Sequence, residues 1–219
     1  MFNVKKSDKI PPSLAEKKSW SGEDVWDALV EDFHGKCYLC EEKNPLDINV
    51  EHFHPQGEYE EKAYEWNNLY MSCSRCNNIK LSKYNDLLDC CDNDVDVFKM
   101  VYIGVPVTQY SNRVEVKTDS DDPKAKTTVD LLDRIYNSNH SINKKITGAF
   151  LRKKIHLQYT KLLNWMTIYF DEESTQSERN NALAKIGVLI EKKQPFSAAM
   201  RWCVLEDEVL NPLFKDRMD

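Results

Sequence analysis

Near the start of the chain, Trp26, Leu29, Val30 and Phe33 recur at helical spacing and define one apolar face. The pattern predicts a helix from about Gly22 to Phe33, with Ser21 as its cap and Gly35 as its stop. Residues 1–20 show no such period, and Pro11-Pro12 argues for an irregular lead-in. Farther along, Asp121-Asp122-Pro123 opens a helix that carries Val129, Leu131, Leu132 and Ile135. A long helical pattern follows to about Phe170, with Asn139 or Ser141 as its cap. Two further helices are predicted over about Ser177 to Lys192 and Pro195 to Leu205. Between the first helix and these, the period shortens to two. Phe98 to Ile103 and Arg113 to Thr118 read as short strands around a bend at Gly104-Val105-Pro106. Asn85 to Asp96 is acidic and reads as a loop.

Composition narrows the class. The chain has 219 residues, 41% hydrophobic and 30% charged, an ordinary globular balance. No window approaches the length of an apolar membrane span. The first residues, MFNVKKSDKIPPSLAEKK, lack the apolar core of a secretory signal, so a reducing cytoplasm is the expected setting. In that setting seven cysteines do not suggest a disulfide framework. Cys37-Tyr-Leu-Cys40 and Cys73-Ser-Arg-Cys76 form two CxxC knuckles 32 residues apart. Two such turns complete a tetrahedral site for one structural zinc, since four thiolates leave no open position. Cys90, Cys91 and Cys203 read as ordinary cysteines.

Between and after the knuckles stand Val50-Glu51-His52-Phe53-His54-Pro55, then Trp66-Asn67-Asn68-Leu69, then Asn77-Asn78-Ile79-Lys80. Taken in order, CYLC, VEHFHP, WNNL and SCSRCNNIK resemble the HNH nuclease family over Cys37 to Lys80. The longer context is similar to the PtuB-type HNH subunits of Septu and retron anti-phage systems. The resemblance implies a ββα-metal fold in which His52 is the general base. Glu51 and Asn77 would hold one Mg²⁺ or Mn²⁺, and Asn68 would bond backbone across the loop and orient His52. The family commonly has Asp where Glu51 stands and often His where Asn77 stands; two oxygen donors favour magnesium over an imidazole-rich metal site. Lys80, and less so Arg75, are candidates for phosphate contact. His54 is a candidate for metal or phosphate, and otherwise stabilises the turn. Trp66 is expected to plug the core over the zinc.

The implied substrate is nucleic acid, with DNA favoured, RNA such as tRNA the alternative, and a non-catalytic zinc module a further one. An ATPase partner subunit is implied as well. Net charge is −6, unfavourable for a polyanion binder. Arg134 to Phe170, however, holds Arg134, Lys144, Lys145, Arg152, Lys153, Lys154 and Lys161 with no acid, so this stretch carries +7 and the rest −13. Ile142, Ile146, Phe150 and Leu157 mark a competing buried face in it, so the stretch is either a nucleic-acid surface, a partner-docking surface or a solvated face. The expected fold is α+β and predominantly helical. It divides into a lead-in and helix (1–35), a zinc-stapled HNH module (36–84), and short strands followed by a helical C-terminal domain (85–219).

Overall fold

A computed structural model of the chain describes residues 1–106, 108, 113–139 and 147–218. The lead-in contains a short helix, α1 (Pro12–Ala15), where irregular backbone was expected. Pro12 sits in its first turn, where a missing N–H costs nothing. Helix α2 (Glu23–Asp32) buries Val25 and Leu29 as the period requires, but its cap is Gly22 and not Ser21. At Gly35 the backbone is left-handed (φ 68°), and an added Cβ would stand 2.6 Å from Asn44 Oδ1. Glycine is therefore required where the first knuckle begins.

Strands β1 (Ile48–His52) and β2 (Leu69–Cys73) pair antiparallel, with Glu51 opposite Tyr70 and His52 opposite Leu69. Helix α3 (Ser74–Lys80) leaves the end of β2 at once and packs against both strands, completing a ββα unit. The first knuckle joins this unit through the Tyr38 N–H, which donates to the Met71 carbonyl at 2.9 Å.

Downstream, the strand expected from Phe98 is helical at first. Asp96 caps α4 (Val97–Met100) by accepting from the Lys99 N–H, and only Tyr102–Ile103 is extended, as β3. It pairs with β4 (Val116–Lys117). Asp122 caps α5 (Pro123–Asn137), which buries Leu131, Leu132 and Ile135. Helix α6 (Gly148–Phe170) is capped by Thr147, not by Asn139; Ser141 lies outside the described residues, as do Ile142, Lys144, Lys145 and Ile146. The buried face of α6 runs through Leu151, Ile155, Gln158 and Leu162, whereas Leu157 is exposed. Helices α7 (Gln176–Leu189), α8 (Ser197–Leu205) and α9 (Asn211–Phe214) complete the chain, α7 starting at a capping box between Thr175 and Glu178. One hydrophobic core runs from Phe2 and Val4 through Tyr38 and Tyr70 to Ile135, Ile155 and Met200. No helix among the described residues is long and apolar enough to cross a membrane.

Candidate active site

The four knuckle thiols converge. Sγ atoms of Cys37, Cys40, Cys73 and Cys76 lie within 4.8 Å of one another, all buried, with Cys40 and Cys73 at 3.9 Å. Sulfurs on a tetrahedral zinc with 2.3 Å bonds stand about 3.8 Å apart, so the chemistry and convergence of the donor set fit that ion. Ser72 Oγ lies 3.9 Å from Cys37 Sγ, where its hydroxyl can support a thiolate. The clamp holds the loop before β1 and the start of α3 against one point, which fixes the ends of the ββα unit.

Glu51, His52 and Asn77 line one cleft of about 270 Å³, together with Trp20, Val50, Pro55, Gln56, Lys80 and Leu81. The imidazole of His52 is half-buried, and its Nε2 lies 3.0 Å from the Ala63 carbonyl. A carbonyl only accepts, so Nε2 carries the proton and Nδ1 keeps its lone pair. Trp20 meets the ring edge to face, centroids 4.9 Å apart. Burial lowers the His52 pKa below the usual imidazole value, opposed by the Ala63 bond and aided by the Lys80 charge. The ring is therefore neutral at pH 7 and able to take a proton.

Glu51 is buried, with Oε1 2.8 Å from Lys80 Nζ, while Oε2 is buried with no hydrogen-bond partner. Burial raises its pKa, and the Lys80 ammonium pulls in the opposite direction. Glu51 with its orphaned oxygen and Asn77 line the same cleft, and their oxygen donors suit a hard, oxygen-preferring cation. Asn68 is buried and closes the loop. Its Oδ1 accepts from the His54 N–H at 2.7 Å, and its Nδ2 donates to the carbonyls of His54 and Lys62, each at 3.1 Å. Lys62 precedes the carbonyl that holds His52, so the amide spans the loop that orients the ring. Asn67, its neighbour in register, lines a different cleft.

Of the three candidates for phosphate contact, Lys80 lines the cleft, and Arg75 and His54 do not. Lys80 is buried, and its Nζ donates to the carbonyls of His52 (3.2 Å) and Phe53 (2.9 Å) besides pairing with Glu51. Its ammonium acts inside the module, neutralising Glu51 and tying α3 to β1. Arg75 reaches away from the cleft to the end of α5, donating to the carbonyls of Ile135 (2.8 Å) and Ser138 (3.0 Å). His54 packs against Tyr59 and edge-on to Phe53, outside the cleft lining. Trp66 is buried, its Nε1 donating to the Ser7 carbonyl at 3.0 Å. Within the basic stretch, Arg152 is buried and donates to the Tyr136 carbonyl at 2.8 Å, and Lys154 pairs with Glu42 at 3.6 Å. Lys153 and Lys161 are exposed. Sequence reasoning missed Trp20, because nothing in an irregular lead-in signals a wall of the cleft.

Residues 37–83 match the family model for HNH endonuclease. The chain is also similar to the Septu protein PtuB of Bacillus thuringiensis, 30% identical over 131 residues, covering 54% of this chain and 46% of the relative. It thus spans about half the length of that curated relative. The first match finds the family read from the knuckles and the loop between them, and the second the PtuB-type likeness read from the longer context.

Proposed function

We propose that the chain is a metal-dependent HNH endonuclease that hydrolyses phosphodiester bonds, with DNA as the favoured substrate. The observation that carries this reading is the His52 imidazole, held through Nε2 by the Ala63 carbonyl, in a cleft that Glu51, with one unbonded carboxylate oxygen, also lines. His52 Nδ1 takes a proton from water as the oxygen attacks phosphorus in line with the departing 3′ oxygen. The ends left are a 5′-phosphate and a 3′-hydroxyl. Glu51 and Asn77 would hold Mg²⁺ or Mn²⁺, which when bound supplies Lewis acidity at the phosphate and the leaving oxygen. Asn68 keeps the loop closed and the base aimed, and the zinc held by Cys37, Cys40, Cys73 and Cys76 is structural.

The likeness to the Septu protein supports a place in anti-phage defence, and the family resemblance implies an ATPase partner subunit beside it. Such a partner would also supply substrate grip that an acidic chain lacks. The test offers labelled DNA and RNA pools in parallel, with Mg²⁺ or Mn²⁺ and with the ATPase partner present. Wild type is expected to cut DNA, and His52→Ala to be slower by about 10²- to 10⁴-fold while keeping its fold and zinc. Cleavage confined to RNA would reassign the substrate; no cleavage of either, or an undiminished His52→Ala, would leave a binding module.

A further inference from the structure

Outside the cysteine clamp and the cleft, one cluster of side chains among the described residues has the chemistry of a metal site. A carboxylate oxygen of Asp89 and the sulfurs of Cys90 and Cys91 all lie within 4.8 Å of one another. Adjacent side chains in extended backbone point to opposite faces. Here the chain turns at Cys90 and Cys91, which brings both thiols to one side. The turn is held in place: the Val4 N–H donates to the Cys90 carbonyl at 2.7 Å, and the Cys91 N–H donates to Asp89 Oδ1 at 2.7 Å. The hydroxyl of Tyr70, on β2, donates to the same carboxylate oxygen. Cys90 is buried and Cys91 half-buried, and Asp89 and Cys91 line a cleft of about 730 Å³ that also receives Lys6.

The geometry points to a second thiolate metal site, formed by Asp89, Cys90 and Cys91, for a divalent ion of the zinc class. Two soft sulfurs select such an ion over magnesium. Three protein donors leave a fourth position open to water from the cleft, unlike the closed set of four cysteines. Charge is balanced as well. Two thiolates and a carboxylate carry −3, a divalent ion brings this to −1, and the Lys6 ammonium on the same cleft cancels the remainder. The site lies beyond residues 37–83 and is independent of the nuclease reading. Its occupation would pin the acidic loop to β2 through Tyr70 and to the lead-in through Val4.

The test is metal content of the full chain after weakly held ions are stripped. Wild type is expected to retain two zinc ions per chain by mass spectrometry, and Cys90→Ser/Cys91→Ser one. With Co²⁺ in place of zinc, the sulfur-to-metal absorption should fall by a third in that variant, from six cobalt–thiolate bonds to four. One zinc in the wild type overturns the proposal outright, whatever the variant does. Equal cobalt–thiolate absorption in wild type and a folded variant overturns it too. Asp89→Asn, which keeps both thiols, should weaken Co²⁺ affinity at the second site and leave the saturated absorption unchanged.

Discussion

The neighbours of His52 favour the form of its ring that the proposed base requires. The Ala63 carbonyl selects the tautomer, and the Trp20 ring, 4.9 Å away, keeps water from one side. Burial is the main cause of its lowered pKa. A lowered value leaves the free base available at lower pH, so the acid limb of the pH–rate profile is expected below the ordinary imidazole value of about 6.5. In Trp20→Ala the ring regains hydration, and the limb should move up toward that value. Trp20→Phe should restore it. An NMR titration of His52 reads the same shift without catalysis, and a wild-type midpoint at or above 6.5 would refute the account. Lys80 acts on Glu51 in a comparable way. Lys80→Met leaves a buried carboxylate without its cation, and removal of one partner of a buried pair costs roughly 3–5 kcal/mol. Urea unfolding should show that loss in the absence of added Mg²⁺, while an exposed-residue change such as Lys153→Met should fall within about 0.5 kcal/mol of wild type.

Between the strands of the ββα unit, Asn68 does work that no single strand hydrogen bond could. It satisfies one N–H and two carbonyls of the loop. At about 0.5–1.5 kcal/mol per hydrogen bond, Asn68→Ala should lose roughly 1.5–4.5 kcal/mol, and cleavage should fall in kcat more than in KM. An Asn68→Ala protein with wild-type unfolding would refute the clamp. The elements that the sequence made legible are those whose signal is local. Two CxxC turns announce their own convergence, and the apolar face of α5 announces its burial. Phe98 to Ile103 misled because its apolar run is equally compatible with helix and strand, and Asp96 settled the first turn by capping it. Lys80 and Arg75 misled for another reason. A cation three residues from a metal-ligand candidate looks available in sequence, and only the packing of α3 against β1 and α5 shows that both are spent on protein carbonyls. Trp20 was invisible because its partner stands 32 positions away.

Across the whole molecule, the cysteine-clamped unit is tied to the helical part of the chain. Tyr136 of α5 donates its hydroxyl to the Cys40 carbonyl at 3.0 Å, so the first knuckle rests directly on the helical part. Arg75 makes the reciprocal tie to the end of α5. A third connection is ionic: Lys36 and Glu41, flanking the first knuckle, pair at 3.0 Å in the interior. Lys36 Nζ also donates to the Lys192 carbonyl (2.7 Å) and to Ser197 Oγ (3.0 Å), and the Ala198 N–H donates to Glu41 at 3.2 Å. Burial pushes the Glu41 pKa up, but Lys36 and the surrounding donors outweigh it and hold the carboxyl at about 2. A carboxyl depressed below its unfolded value of 4.5 stabilises the fold above that pH, and the contribution drains away as pH falls toward 2. Acid unfolding should therefore begin below about 4.5, and Glu41→Gln should flatten that part of the stability curve. The variant also strands Lys36 as an unpaired buried cation, a loss of roughly 3–5 kcal/mol at neutral pH. Because these ties join the module to the helices, that loss should appear as one lowered transition that both the Co²⁺-loaded clamp and the far-ultraviolet helix signal report together. If the cobalt–thiolate band of the clamp survives while helix content melts, the two parts unfold separately and the ionic bridge does not couple them.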